Sequence, residues 1–307
     1  MLAVRNYIEI GGFELESGPH PEQGLRDSER LLLHVLGRDR TWLAANQRSG
    51  ISHEHHRQWW GLIQRRLTGE PIQYITGETE FYGLPFRVTP AVLIPRPETE
   101  HLVEEVLKRA IQLRVPQVPL GTWEADALSS PGTRPPTIRI LDIGTGSGCI
   151  AVALARHLPL ASITAIDLSP DALAVARENA ALNGVADRIR FLPGDLLAPV
   201  ANESFDIVVS NPPYVPTADR SSLSIEVRDH EPALALFAGD DGLDLYRRIA
   251  PAADRVLAPG GLLALEIGFA QQAAITALLT AAGFQSIEAF PDLQGIPRVV
   301  CAVRGHA

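Results

Sequence analysis

The sequence predicts an α/β fold, in which a mainly parallel sheet is covered by helices on both faces and is preceded by a small helical domain. Two observations support this prediction. After Ile138, apolar strands alternate with amphipathic helices, a pattern typical of a buried parallel sheet. Before residue 70, apolar residues recur at helical spacing between capping residues and glycines.

The first 70 residues are expected to form a helical domain. The segment "DSERLLLHVLG" predicts a helix capped by Asp27 or Ser28 and ended by Gly37. The segment "SHEHHRQWWGLIQRRLTG" repeats this design from Ser52 to Gly69. Residues 71–97 then carry the short β-like pieces "IQYITG", "EFYGLPFRV" and "AVLIP", which predict a β-hairpin linker.

Residues 98–307 are expected to form the main domain. It opens with an amphipathic helix capped by Thr99, and residues 115–136, rich in Pro, Gly and Ser, are interpreted as a surface insertion. Five apolar strands then alternate with helices: "IRILDIG", "SITAIDL", "IRFLPGD", "FDIVVS" and "GLLALEIG". The last two strands, "FQSIEAF" and "PRVVCAVR", have no helix between them, which predicts an antiparallel edge.

Composition limits the class of protein. The net charge of −9 disfavours nucleic acid as the main partner, because proteins that bind through phosphate contacts usually carry the opposite sign. Two cysteines are too few for a disulfide scaffold or a thiolate metal site, and we predict no metal. No apolar run reaches the roughly 18 residues of a membrane helix, and the N-terminal segment turns acidic too early for a secretory signal. We therefore expect a cytoplasmic protein without a membrane partner.

A glycine-rich turn, "LDIGTGSGCIA", lies where the first predicted strand of the sheet meets its helix. Gly144, Gly146 and Gly148 permit a tight turn and close approach of a ligand. A dinucleotide fingerprint has Gly or Ala where this chain has Cys149, which disfavours a dinucleotide-dependent oxidoreductase. Asp167, at the end of the second strand, is placed to bind both hydroxyls of a ribose.

Two further acids extend this predicted nucleoside site. Asp195 follows the third strand, where its carboxylate can accept from an adenine amino group while the Leu196 N–H meets a ring nitrogen. Asp142 lies near the glycine turn and can face a ligand ammonium. The ligand that these features imply is S-adenosylmethionine. The alternative is that the three acids only cap helices or turns.

The segment "SNPPYVP" follows the apolar strand "FDIVV". Two prolines remove two ladder donors and stiffen the chain where it leaves the strand. A planar NH2 group is a poor nucleophile, so a methyl-transferring site must orient its nitrogen. The Asn211 side-chain oxygen and the Pro212 carbonyl can accept its two N–H groups, while Pro213 stiffens the loop and Tyr214 offers a flat surface. This predicts methylation of an amide or of a base, the alternative being a rigid turn with Tyr214 in the core.

Over essentially its whole length the chain resembles the HemK/PrmC family, the release factor glutamine methyltransferases. The resemblance rests on the segments "PIQYITGETEFYGLPFRV", "VLIPRPETE", "LDIGTGSGCIA", "AIDLSPDAL", "VSNPPYVP" and "HEPALALFAGDDGLDLYR". It implies a seven-stranded class I S-adenosylmethionine-dependent methyltransferase domain with an antiparallel last strand, joined to an N-terminal substrate-recognition domain. It also implies methyl transfer to the side-chain nitrogen of the glutamine in the GGQ motif of peptide chain release factors, with no direct need for nucleic acid.

The resemblance also implies site residues. The family's cofactor contacts fall on Gly144, Thr145, Gly146, Ser147, Gly148, Asp167, Leu196 and Asn211, and its glutamine contacts fall on Asn211, Pro212, Pro213 and Tyr214. Some members carry an aromatic residue in place of Leu196. The segment "IPRPETE" resembles the release-factor branch more than members that modify a ribosomal protein.

Several alternatives stay open at this point. A ribosomal-protein glutamine methyltransferase, an adenine-directed nucleic-acid methyltransferase and a non-enzymatic ribosome-associated module are the competing functions. Five residues can either contact a ligand or serve the fold alone: Arg96, Thr99, Glu100, Glu231 and Pro232. The crowded histidines His53, His55 and His56 are expected to form a solvated helix face.

Overall fold

The computed structural model describes residues 2–113 and 138–305 of the chain, so the predicted insertion at 115–136 lies outside the described residues. Contacts divide the chain into two compact units. The first comprises Met1–Glu78, Val88–Pro90 and Ser221–Glu231; the second comprises Thr79–Arg87, Ala91–Arg220 and Pro232–Ala307. The predicted division into domains 1–70, 71–97 and 98–307 stays a prediction. No helix in the described ranges combines the length and apolar character needed to cross a membrane.

Helices and strands are numbered along the chain. The helices are α1 Val4–Leu15, α2 Gly24–Leu36, α3 Arg40–Asn46, α4 His53–Leu67, α5 Ile72–Thr76, α6 Thr99–Leu113, α7 Cys149–His157, α8 Pro170–Leu182, α9 Ile225–His230, α10 Asp244–Val256 and α11 Gln272–Ala281. The strands are β1 Glu78–Phe81, β2 Leu84–Arg87, β3 Ile138–Ile143, β4 Ala161–Asp167, β5 Ile189–Pro193, β6 Phe205–Ser210, β7 Leu257–Glu266, β8 Phe284–Pro291 and β9 Pro297–Arg304.

The helix boundaries of the first unit follow the predicted signals at three of four places, including Gly69, which has φ of 87° two residues after the end of α4. Ser52 caps α4 by accepting a hydrogen bond from the His55 N–H, and Gly37 ends α2 with φ of 60°. The predicted cap at Asp27 or Ser28 is wrong, because α2 already begins at Gly24. Asp27 lies inside that helix and is buried. Its carboxylate accepts a hydrogen bond from Arg66 Nε at 2.7 Å.

Arg66 is the buried charge around which the first unit is organised. Its side chain is 2% exposed and also donates to the carbonyl of Glu70 at 3.0 Å. A second carboxylate, from Glu226 on α9, pairs with Arg66 Nη1, and His20 Nε2 lies 3.3 Å from the same carboxylate. Residues 221–231 thus join the unit through charge pairing as well as through contact of Ile225 with Gly69.

The segment 71–97 contains less β structure than predicted. The hairpin of β1 and β2 is confirmed, but "IQYITG" forms helix α5 and "AVLIP" forms no strand. The helix forms because Ile72 and Ile75, three residues apart, both pack into the apolar core of the helical unit. Tertiary burial therefore overrides the β propensity of the isoleucines.

The second unit contains a seven-stranded sheet with the order β5-β4-β3-β6-β7-β9-β8. Strands β3 to β7 pair in parallel, and β9 runs antiparallel to both β7 and β8. This confirms the fold class and the antiparallel last strand. The predicted antiparallel edge is also confirmed: β8 and β9 pair antiparallel at one side of the sheet, with β9 inside and β8 outermost.

Successive residues of each central strand enter opposite faces of the sheet. In β3, Ile140 packs with α6 and α7, whereas Leu141 and Ile143 pack with α10 and α11. We call these two sides the α6 face and the α10 face. Because β3 is followed by β4 on one side and paired with β6 on the other, the strand order reverses between β3 and β6, which is where open α/β sheets bind ligands.

Replacement of the buried arginine tests its role in the first unit. We expect Arg66→Ala to lower the free energy of unfolding by about 3–5 kcal/mol, because it leaves the buried Asp27 carboxylate unpaired. Urea titration followed by tryptophan emission suits the measurement, since Trp42, Trp59 and Trp60 all lie in α3 and α4. The control Arg57→Ala removes an exposed pair with Glu54 and should change stability by less than about 0.5 kcal/mol. Similar losses in both variants would contradict this account.

Candidate active site

A cleft of about 270 Å³ opens at the carboxyl ends of β3, β4 and β6, close to the size at which ligand pockets begin. Its walls come from the glycine turn after β3, the end of β4, the loop after β5, the start of the loop after β6 and residues 91–96. Predicted site residues on the wall are Gly144, Thr145, Gly146, Ser147, Asp167, Asp195, Leu196, Asn211 and Pro213. Three other predicted residues, Gly148, Pro212 and Tyr214, do not line it.

The glycine turn has the backbone conformation that the sequence predicts. Gly144, Gly146 and Gly148 all have positive φ, at 68°, 54° and 79°. A side chain at Gly148 would meet Cβ of Ala176 at 3.1 Å, so this glycine also allows α8 to pack closely behind the turn. The turn is therefore held between the sheet and α8 with its first two glycines open to the cleft.

Asp167 ends β4 and lines the cleft. One carboxylate oxygen accepts from the Gly146 N–H at 2.8 Å, and the other accepts from the Ser169 N–H at 2.9 Å. The second bond is the turn-capping role that the alternative interpretation describes. Since a carboxylate has about four acceptor positions, both oxygens can still accept from hydroxyl groups of a ligand.

Asp142 lies on β3 and is fully buried. The Thr145 hydroxyl donates to its Oδ2 at 2.6 Å. Burial raises the pKa of Asp142 to about 7, the charge of Asp167 acts in the same direction, and the Thr145 hydrogen bond opposes both. Asp142 does not line the cleft and instead supports the glycine turn from below.

The loop after β5 forms the opposite wall. Asp195 lies two residues beyond the end of β5 and pairs with Arg248 of α10 at 2.6 Å, with both side chains half exposed. Leu196 has a positive φ of 51°, a conformation that costs a non-glycine residue about 1–2 kcal/mol. This left-handed conformation changes the direction of the loop at the cleft wall, where the Leu196 side chain adds apolar surface.

Asn211 lines the cleft and is the first residue after β6. Its Nδ2 donates to the Thr99 hydroxyl at 3.0 Å, so Thr99, the first residue of α6, uses its side chain here. Glu266, the last residue of β7, is 2% exposed and lies within hydrogen-bonding reach of both groups. Burial raises the pKa of Glu266 to about 7 although the Thr99 and Asn211 hydrogen bonds favour its charged form.

The loop after Pro213 is held by several hydrogen bonds. Gln271 Nε2 donates to the Tyr214 carbonyl at 3.0 Å, and the Val215 N–H donates to the Leu236 carbonyl at 2.9 Å. The Tyr214 ring packs against apolar residues of the α10 face, and burial raises its pKa well above the ordinary value. These hydrogen bonds restrain the loop in addition to its two prolines.

The five residues for which the sequence allows either ligand contact or a role in the fold divide between the two. Arg96, Thr99 and Pro232 line the cleft, whereas Glu231 is buried and belongs to the first unit. Glu100 Oε1 accepts a hydrogen bond from the Tyr82 N–H at 2.7 Å and so anchors the hairpin.

Sequence reasoning missed Glu266 and Arg248. An acid at the carboxyl end of the buried strand "LLALEIG" is a signal that could have identified Glu266, because parallel strands end at the same edge of the sheet. Arg248 carries no such signal, since it is one of several polar residues on α10.

The strand order, the antiparallel seventh strand and the cleft at the switch point define a class I methyltransferase. Solved structures share this fold: a methyltransferase from Pyrococcus furiosus has a TM-score of 0.50 at 17% identity, covering 74% of this chain and 91% of that chain. The hMettl16 catalytic domain in complex with an RNA hairpin has a TM-score of 0.51 at 15% identity, covering 86% of this chain and 87% of that chain.

Comparison of sequences shows the family. The Methyltransferase small domain model matches residues 128–226, and the PrmC N-terminal domain model matches residues 18–77. Release factor glutamine methyltransferase of Geobacter sulfurreducens is 42% identical, covering 94% of this chain and 92% of that protein. The enzyme of the same name from Moorella thermoacetica is 46% identical, covering 80% of each chain. The chain belongs to the release factor glutamine methyltransferase family.

The buried Asp142 predicts a pH dependence of stability. Its pKa rises from 3.8 to about 7 on folding, so the native state binds more protons and the free energy of unfolding falls as pH increases through this range. We expect Asp142→Asn, which keeps an acceptor for Thr145, to remove a loss of about 2–3 kcal/mol between about pH 5 and 8. Urea unfolding at both pH values measures it.

The matched control is Asp241→Asn. Arg247 lowers the pKa of this exposed carboxyl to about 2, so Asp241 is ionised throughout the same pH range in both states. The stability difference between this variant and the wild type should therefore not change with pH. A pH-independent difference for Asp142→Asn as well would show that Asp142 does not titrate in this range.

Proposed function

We propose that the protein transfers a methyl group from S-adenosylmethionine to the side-chain amide nitrogen of the glutamine in the GGQ motif of peptide chain release factors. The observation that carries the proposal is the placement of Asn211, whose NH2 group is bound by Thr99 while its side chain lines the cleft. Because the amide nitrogen is occupied, the amide oxygen is left as an acceptor on the cleft side. An acceptor is what a substrate NH2 group requires.

The cleft residues suit the cofactor. Asp167 retains acceptor positions for the two ribose hydroxyls, and the glycine turn leaves Gly144 and Gly146 open to close approach. Asp195 and the Leu196 N–H would hold the adenine, and the side chain of Leu196 would offer it apolar surface. When bound, S-adenosylmethionine supplies an electrophilic methyl group on a sulfonium.

The chain's own residues orient the nucleophile. We assign the Asn211 oxygen to one N–H of the substrate amide and the carbonyl of Pro212, which lies between the cleft-lining Asn211 and Pro213, to the other; this directs the nitrogen lone pair out of the hydrogen-bonding plane. Pro212 and Pro213 fix the position of that carbonyl, and Gln271 holds the carbonyl of Tyr214. Positioning of this kind accelerates transfer without a strong general base, because the thioether leaves as a neutral product and the methylated nitrogen is acidic enough to lose its proton readily. The substrate places the reaction in the cytoplasm, where translation terminates.

Substrate choice is tested with a purified release factor. We expect one methyl group on the GGQ glutamine after incubation with the protein and S-adenosylmethionine, located by peptide mass spectrometry. A release factor carrying Gln→Ala in that motif should remain unmodified, because it lacks the side-chain amide to which the methyl group is transferred. Equal modification of both substrates, or transfer only to ribosomal protein or to duplex DNA, would reject the assignment.

The role of Asn211 is tested separately. We expect Asn211→Ala to lower kcat by about 100-fold or more, by analogy with loss of one oriented hydrogen-bonding group in an active site. The dissociation constant of the cofactor should stay within about threefold, since Asn211 forms only part of the wall. The control Asn202→Ala alters an exposed loop and should leave both quantities unchanged. A parallel loss of cofactor affinity would assign Asn211 to cofactor binding alone.

A further inference from the structure

Three polar side chains meet where the described sheet borders α6. In the parallel pairing of β6 with β7, Val209 lies opposite Ala264 and Ser210 lies opposite Leu265. Continuing this register places Asn211 beside Glu266. Residues 209 and 264 both belong to the α6 face, so by the two-residue alternation of strands 211 and 266 point to that face as well.

Thr99 completes the group from the first turn of α6. This hydroxyl accepts from Asn211 Nδ2 at 3.0 Å, and the Glu266 carboxylate lies within hydrogen-bonding reach of both the hydroxyl and the Asn211 amide. Thr99 and Glu266 are each 2% exposed. Glu266 does not line the cleft, so any effect on a bound substrate must pass through the other two residues.

These hydrogen bonds run in one direction, because a carboxylate can accept a hydrogen bond but cannot donate one. If Glu266 accepts the Thr99 proton, the Thr99 oxygen is left to accept from Asn211, and the amide must present its NH2 group to Thr99. The Asn211 oxygen then faces the cleft. The reversed amide would present NH2 to a substrate NH2, which offers no acceptor to the substrate.

We propose that Glu266 is a positioning residue that sets the orientation of the Asn211 amide, both directly and through Thr99. The inference rests on the proposed function for its kinetic consequence, but the orientation itself is a property of this chain. Glu266 Oε2 is buried and makes no hydrogen bond within the described ranges. An unpaired buried carboxylate oxygen lowers the stability of the fold, so a role in the fold alone does not explain this residue.

Protonation of Glu266 would remove this fixed direction of hydrogen bonding, because a carboxylic acid can donate to Thr99. The groups that act on Glu266 or respond to its charge come from five surrounding elements: Glu98 before α6, Arg298 on β9, Tyr214 after β6, Tyr246 on α10 and Cys149 on α7. The pKa of Glu266 is raised to about 7, chiefly by burial and also by Glu98, while Arg298 opposes the shift. Transfer should therefore weaken as pH falls through this value.

The test compares Glu266→Gln, Thr99→Val and the double variant. A glutamine at 266 can donate as well as accept, so it permits the reversed hydrogen bonds without a large change in volume. We expect each single variant to lower kcat by about 10-fold or more, with KM and cofactor affinity within about threefold. The double variant should lose no more than either single variant, because both act on the same amide. Thr99→Ser should restore most of the activity.

A spectroscopic measurement separates this inference from the proposed function. The side-chain amide resonance of Asn211, assigned by its loss in Asn211→Ala, should shift with an apparent pKa near that of Glu266 and become insensitive to pH in Glu266→Gln. The kcat profile should lose its acidic limb in the same variant. If the wild type methylates no release factor but the resonance titrates, the proposed function fails and the positioning role stands.

The control is Ser210→Ala. Ser210 is fully buried next to Asn211, but its hydroxyl donates to the Ile143 carbonyl at 2.7 Å, away from the three polar side chains. This variant should lower the melting temperature and leave kcat unchanged. Wild-type kcat in Glu266→Gln, additive losses in the double variant, an Asn211 resonance that ignores Glu266, or a kcat loss that matches a loss of folded protein would each overturn the inference.

Discussion

The structure depends on the alignment of parallel strands buried on both faces. Within β3, β6 and β7, side chains pack into apolar layers, and the buried polar residues Asp142, Ser210 and Glu266 lie at the carboxyl ends of the strands. The strand register brings those ends together, and the reversal of strand order between β3 and β6 leaves a cleft between them. The cleft is thus a consequence of how the sheet is built.

Two buried carboxyls show what this arrangement costs. Asp142 and Glu266 both lie on the α6 face, and burial raises the pKa of each to about 7. Each is close to a threonine hydroxyl: Thr145 bonds Asp142 in the glycine turn, and Thr99 lies beside Glu266 at the start of α6. Neither carboxyl lines the cleft; Asp142 contacts the glycine turn and Glu266 lies beside Asn211. Perturbed carboxyls of this kind concentrate at functional sites.

Rigidity of the loop after β6 has more than one source. Two prolines restrict the backbone, but Gln271 and the exchange of hydrogen bonds between Val215 and residues 236–238 hold the loop from outside. The first unit has a comparable device in Arg66, which unites charges from distant parts of the chain. In both places a few long-range polar contacts determine a local conformation.

Short-range patterns determined much of this protein by sequence alone. Alternation of apolar strands and helices established the fold class, positive-φ glycines established the turn after β3, and Ser52 and Gly37 marked helix ends, because each depends on neighbouring residues only. Only the tertiary structure decided those features that depend on contacts between residues distant in sequence. Asp27 pairs with Arg66 instead of capping a helix, the Thr99 hydroxyl accepts from Asn211, and α5 replaces a predicted strand. Such choices depend on which side chains the packed sheet and helices bring within reach, and that information is spread over the whole chain.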